Sequence, residues 1–311
     1  MKKILGFLFA IVILGCGGYF VYVNYIKSKV PKLNLEEEVS NASKYYVYGN
    51  HFNIEGNIDI KDKNYDVTID PGHGGMDGGG ASGNYKETDF TMDISKKVKS
   101  NLEKAGITVK LTHDEGDIDK NHVMDEYNKG GRAVIPNEVK SKYTFSIHIN
   151  KSGSSKVKGI EVYTPSDINY DLVKDIVNNI TNNTSLGYSS NRLYKKFDGI
   201  YTHNFTESEV KSAIDGYDEK NYKHYNVTTK SNYLYMIRET GGFMTGAYVD
   251  NSNPDKVGVN PYYDSNIGNE SYLLELGYIS NSTDVNTLKE EQDALAKAIS
   301  DSIIKEINEK M

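Results

Sequence analysis

Tryptophan is absent from this 311-residue chain and cysteine occurs once, at Cys16. One cysteine excludes an intrachain disulfide, and its place within the N-terminal apolar run excludes a cysteine-built metal site or nucleophile in the rest of the chain. Positive charge is also scarce. The chain carries 36 basic residues against 43 acidic ones, and five of the basic residues (Lys2, Lys3, Lys27, Lys29 and Lys32) flank that apolar run. What remains has a formal charge near −12, which speaks against nucleic acid as a partner and against binding of acidic polymers by bulk charge. Internal repeats and low-complexity tracts are missing too. What is present is the apolar content of an ordinary globular protein, enough to bury a sizeable core. Tyrosine is abundant, a usage that genome base composition accounts for more simply than sugar stacking does.

The apolar run from Ile4 to Ile26 follows Met1-Lys2-Lys3 and, at about 1.5 Å per residue, is long enough to cross a bilayer. It reads as an uncleaved transmembrane signal anchor over residues 1–26, which places the remainder on the extracytoplasmic face of a membrane. Ile13-Leu14-Gly15-Cys16 also resembles a bacterial lipobox, and a cleaved signal peptide is the third reading. The run stays apolar beyond Cys16, where a lipoprotein turns polar, and this favours the anchor. Residues 27–64 lack a sustained period and read as a stalk and small N-terminal extension, with a hairpin around Tyr45 to Ile60. A catalytic domain is expected over residues 65–311.

That domain is organised around Tyr65 to Glu87, YDVTIDPGHGGMDGGGASGNYKE. Val67 to Ile69 reads as a buried strand that empties into a glycine-rich loop bearing His73. Catalytic groups collect at this end of strands in open α/β sheets. From Thr88, Phe90, Ile94, Val98 and Leu102 recur at helical spacing and Gly106 supplies a C-terminal stop, so Glu87 falls at a helix start. Ile107 to Leu111 alternates as the next strand, giving a βαβ unit. Tyr143 to Ile149 forms a further strand with Phe145, Ile147 and Ile149 on one face and Ser146 and His148 on the other. Gly159 to Tyr163, Tyr233 to Ile237 and Ser271 to Leu276 are also strand-like. Helices are expected around Leu172 to Ile180 and at the C-terminus, where Leu295, Ile299, Ile303 and Ile307 form a stripe. The fold class is α/β: a mostly parallel twisted sheet with helices on both faces.

His73, Glu87 and His148 would make a His₂Glu metal site with a position left for water, the donor set of catalytic rather than structural zinc. Taken singly each has a plainer reading: a loop-bound turn histidine, a helix N-terminal acid favoured by the macrodipole, a satisfied core histidine. Glu275 interrupts the apolar run SYLLEL, and a carboxylate inside a buried strand is costly unless it is paired, with Arg132 or Arg238, or used.

The order of these segments resembles the zinc-dependent N-acetylmuramoyl-L-alanine amidases that act on bacterial peptidoglycan. The matching stretches are Asp70 to Gly75, Glu87, Ser146 to Asn150 and Glu275-Leu276-Gly277-Tyr278-Ile279-Ser280-Asn281, within Asp66 to Lys310. The resemblance implies Zn2+ held by His73, Glu87 and His148, with Glu275 as the catalytic glutamate. It implies a substrate of glycan strands and stem peptides. Glu270 and Glu239 are rival acids for the role of Glu275 but lack the segment that follows it. Arg132 matches a second family arginine that organises the sheet edge, while His113 stands where an arginine is usual. Asp70 and Asn150 are candidates to orient a ligand, and Gly74 to Gly83 would let backbone approach metal and substrate. The chain is longer than the family pattern between Asn150 and Glu275, as an insertion within about 188–269 that contains His203 and His224, neither of them assigned to metal. A protein activator is left open as a partner. Two other functions share these features: a zinc-dependent peptidase or deacetylase of the wall, and a membrane-tethered wall-binding protein with a degenerate site.

Overall fold

The computed structural model describes residues 65–75, 77–114, 132, 135–164, 168–204, 206–208, 210–211 and 269–311. The expected anchor, the Cys16 lipobox, the stalk, the strand at Tyr233 to Ile237 and most of the insertion lie outside the described residues. No described helix is long and apolar enough to cross a membrane.

Strand β1 (Val67–Pro71) is followed by a short hairpin, β2 (Ala81–Ser82) and β3 (Tyr85–Lys86), then helix α1 (Thr88–Lys104) and β4 (Val109–Leu111). Next come the single turn α2 (Ile135–Glu138), β5 (Tyr143–Asn150), β6 (Glu161–Tyr163) and α3 (Asp171–Asn183). The chain continues through β7 (Lys195–Phe197), β8 (Ile200–Tyr201), β9 (Glu270–Tyr278), α4 (Ser282–Glu290) and α5 (Gln292–Lys310). The main sheet runs β4-β1-β5-β9-β6-β8-β7. Its first four strands are mutually parallel, β6 is antiparallel to β9 and parallel to β8, and β7 turns back against β8.

The register explains how the layers form. Val67 aligns with Val109 and Tyr143, Ile69 with Leu111 and Phe145, Phe145 with Tyr272, Ile147 with Leu274, and Leu274 with Val162. Side chains alternate along a strand, so these residues share one face. They join one core with Phe90, Ile94, Val98 and Leu102 of α1, Val173, Ile176 and Ile180 of α3, and Leu295, Ile299, Ile303 and Ile307 of α5. Complete burial of each such side chain contributes about 1.5–3 kcal/mol.

Helix α5 packs between α1 and α3, which puts all three long helices in one layer. The expectation of helices on both faces is therefore corrected for the described residues. The reason lies in the other face, where Thr68, Asp70, Ser146, His148, Glu161 and Glu275 stand at the alternate positions. Among the described residues a helix has no apolar stripe to pack against there, and only Tyr163, Tyr201 and Leu273 form a small cluster. The polar face is where chemistry-bearing side chains collect.

Candidate metal centre

β1 ends at Pro71, and the chain turns so that His73 sits in the left-handed region, with φ 62°. A residue with a Cβ is strained there, a state that persists when its surroundings over-determine it. Here they do. The His73 ring Nδ1 donates to Asp77 Oδ2 at 2.7 Å, while Nε2 lies 3.1 Å from Glu87 Oε2. Asp77 is itself fixed by the Gly79 N–H, 3.0 Å from its other oxygen.

Glu87 occupies the cap position of α1, as its place before the helical period predicts. Its carboxylate is gripped at both ends: Gly80 N–H donates to Oε2 at 2.8 Å and Ile149 N–H to Oε1 at 2.8 Å. His148, on the polar face of β5, brings Nδ1 to 2.9 Å from Glu87 Oε1. The two imidazoles meet edge to face, with centroids 4.8 Å apart. One ligand atom from each of His73, Glu87 and His148 falls within 4.8 Å of the others, a group that can hold a metal ion.

Two glycines of the loop are required by this crowding. A Cβ on Gly72 would meet the His148 ring at 2.6 Å. One on Gly79, whose φ is +67°, would meet His73 Cδ2 at 2.6 Å and Glu87 Oε2 at 2.7 Å. They make room for the ligand side chains themselves.

Burial opposes charge on His73, yet the bonds to Asp77 and Glu87 outweigh it and lift its pKa to about 10. Burial likewise opposes ionisation of Glu87, but the two imidazoles hold it well below the usual carboxylate range. His148 moves the other way: burial lowers its pKa more than Glu87 raises it. The donors are thus a carboxylate and two imidazoles, one imidazole needing to lose a proton before it can ligate.

Glu275 sits on β9 opposite His148 in the β5–β9 register. Its Oε2 is buried and has no hydrogen-bond partner among the described residues. Burial, and then the nearby charges of Glu87 and Glu161, push its pKa well above the ordinary value. Arg132 is engaged elsewhere: Nε and Nη2 donate to the two Asp70 oxygens at 2.8 and 2.7 Å, and Nη2 approaches His148 Nε2 at 3.5 Å. Asp70 also accepts from Thr112 and Ser146, so its contact with the metal group runs through Arg132. Asn150 donates instead to Glu161 Oε2, at 3.3 Å. The rival acid Glu270 lies at the far end of β9, bridged to Lys142 at 3.0 Å. His203 stacks on Tyr194, 3.9 Å between centroids, and His113 is buried with Nδ1 3.1 Å from Thr112 Oγ1. Arg238, Glu239 and His224 lie outside the described residues.

Two residues escape a reading by motif. Asp77 backs His73, four positions on. Glu161 is fully buried opposite Glu275 in the β6–β9 register and accepts hydroxyls from Ser189, Tyr163 and Tyr278. The sequence does carry a signal for it, since Glu161 interrupts an apolar strand just as Glu275 does.

A model of the N-acetylmuramoyl-L-alanine amidase family matches residues 67–305. The chain belongs to that family. Among relatives, a probable cell wall amidase LytH of Staphylococcus saprophyticus is 34% identical over 134 residues, 40% of this chain and 41% of the relative. Its Staphylococcus aureus counterpart is 33% identical over 143 residues, 43% and 45% of the two chains. The matched stretch thus spans less than half of those relatives. Of solved structures, the amidase AmiC2 of Nostoc punctiforme overlays at a TM-score of 0.47 with 25% identity, covering 78% of this chain and 96% of that one. Another is CwlD of Clostridioides difficile, solved with the GerS lipoprotein, at 0.47 and 18%, covering 80% and 100%.

Proposed function

We propose that the protein is a zinc-dependent hydrolase that cleaves the amide between the lactyl group of N-acetylmuramic acid and L-alanine of the peptidoglycan stem peptide. On this reading the N-terminal segment tethers it to the extracytoplasmic face of the bacterial membrane. The observation that carries the reading is the convergence of His73, Glu87 and His148 within 4.8 Å, with Glu275 on the adjoining strand, its buried Oε2 without a hydrogen-bond partner among the described residues. Family membership supplies the substrate class.

Zinc held by His73, Glu87 and His148 would polarise the scissile carbonyl as a Lewis acid and make a water acidic enough to attack at neutral pH. The protein's part is positional. Asp77 takes the Nδ1 proton of His73 in a hydrogen bond, which leaves Nε2 as the donor atom and fixes the ring plane. Backbone N–H groups of Gly80 and Ile149 hold Glu87 against rotation. Arg132, locked onto Asp70, walls the site beside His148. Glu275 is the group free to move a proton: it receives one from the attacking water and returns it to the departing alanine nitrogen, which is otherwise a poor leaving group. An elevated pKa suits a carboxyl that must both accept and donate near neutrality.

The test is release of stem peptides from purified peptidoglycan by wild-type, Glu275→Ala and chelated protein, with products weighed. Wild type is expected to expose a free lactyl carboxylate, and both altered proteins to lose most of that release, about 100-fold or more for the lost acid–base group. Products carrying the alanine-to-lactyl amide intact would point to a peptidase or deacetylase instead.

A further inference from the structure

A cleft of about 870 Å³ opens at the far edge of the sheet, between α3 and the β7–β8 hairpin. Its volume lies within the range of small-ligand sites. It is remote from the metal group. β6 lies between β9 and the β8–β7 hairpin that walls the cleft, so two strand spacings, roughly 10 Å, part β9 from the nearer wall, and the α3 wall belongs to the helical layer rather than the polar face.

Its chemistry is opposite to that of the molecule as a whole. Lys174, Arg192, Lys195 and Lys196 line it with a single acid, Asp198, in a chain whose net formal charge is −7. Asp198 pairs with Lys195 at 2.5 Å, and Lys174 lies 4.0 Å from Asp171. Arg192 and Lys196 make no ion pair with any described residue. Among the cations stand exposed aromatic faces: Tyr188 is 45% and Phe197 41% accessible. They are held in place, Tyr188 by its hydroxyl on Asn178 Oδ1 at 3.1 Å and Phe197 by Tyr170 edge-on at 5.4 Å, with the Lys174 and Lys196 ammonium groups 4.9 and 5.9 Å from the ring centroid.

Fixed aromatic faces offer an apolar platform to the C–H faces of sugar rings, and unpaired cations recognise carboxylates. A ligand that carries both is a glycan strand bearing free carboxylates at regular intervals. Hydrolysis of the lactyl–alanine amide, the activity proposed above on which this step rests, converts each uncharged muramoyl amide into such a carboxylate. We propose that the cleft binds the stripped glycan strand that this reaction produces, holding the enzyme on the strand whose next stem peptide it cleaves.

The full chain in neutral detergent is titrated with glycan strands from which all stem peptides have been removed, with N-acetylglucosamine oligomers of equal length, and with anionic phospholipid vesicles. Stripped strands contain no scissile amide, so wild-type protein can be used throughout. Saturable, salt-sensitive binding to the stripped strands is expected, about tenfold weaker for the Arg192→Glu/Lys196→Glu pair and for Phe197→Ala. Undiminished binding by those variants overturns the proposal. So does equal affinity for the uncharged oligomers, or a preference for vesicles over strands. Hydrolysis of a short soluble muramoyl-peptide is measured in parallel and should be unchanged by the variants. If wild type fails in that assay the proposed activity falls, while the titration still decides what the cleft binds.

Discussion

At the scale of single residues, Asp77 and Glu275 are opposites. Asp77 is satisfied at both oxygens, one on the His73 ring and one on the Gly79 N–H. Such a carboxylate–histidine pair raises ligand basicity and fixes ring orientation, and its loss typically costs 10–100-fold in metal affinity. Asp77→Asn is therefore expected to weaken zinc retention by about that factor while the fold persists, read by competition with a chromophoric chelator. Glu275 has a buried oxygen with no partner among the described residues. Because its pKa is raised above the unfolded value, folding must force it neutral or bury its charge, a cost absent below pH 4.5 that grows as pH rises toward the folded pKa. Glu275→Gln removes that cost. At neutral pH the variant should lose activity yet melt at the same or a higher temperature than wild type, the signature of stability given up for function. A lower melting temperature would mean that Glu275 serves the fold. His73, Glu87, His148 and Glu275 are legible in the sequence because each ends or interrupts a periodic segment. Asp77 is not, for it falls in a loop without a period; Glu161 does interrupt an apolar strand, but its partners Ser189 and Tyr278 lie far along the chain, so its environment cannot be read from its own segment.

At the scale of elements, legibility follows the apolar pattern. α1, α3 and α5 carry their buried stripes where the spacing predicts them, and β1, β5 and β9 show themselves as apolar runs. β7 is exposed at all three positions and offers no alternation to read. α4 is a different omission, since Asn281 caps it by accepting from the N–H groups of Thr283 and Asp284, and Asn-Ser-Thr-Asp is a usable start signal. A fully buried ion pair, Asp70 with Arg132, helps tie the elements together. Asp70 closes β1, takes Ser146 of β5 and Thr112 beyond β4 as hydroxyl donors, and is held well below the usual carboxylate range because Arg132 overcomes the burial that would raise it. Arg132→Met leaves that carboxylate buried and uncompensated. It should cost about 3–5 kcal/mol, read as a lower denaturant midpoint, whereas Asp70→Asn combined with Arg132→Met should recover part of the loss.

At the scale of the whole molecule, metal and proton compete for the same pocket, and stability should report the competition. In chelated protein the pKa of His73 is raised from 6.5 to about 10 by Asp77 and Glu87. The resulting stabilisation is complete below pH 6.5 and disappears as pH climbs through about 10. Chelated protein should therefore lose stability across that window, while zinc-loaded protein, whose His73 is already deprotonated, should not. Melting curves with and without chelator across pH 6 to 10 check this. Parallel curves would show that His73 does not bind the metal.

The two-faced sheet gives β5 an unusual genetic property. Tyr143, Phe145, Ile147 and Ile149 point into the helical core, while Ser146 and His148 point the other way, Ser146 to Asp70 and His148 into the metal group. Neighbouring codons of one eight-residue strand thus answer to different selections. Errors at odd-numbered positions are felt as abundance, errors at His148 as turnover, and the two kinds of damage can accumulate or be repaired independently along the same short piece of gene.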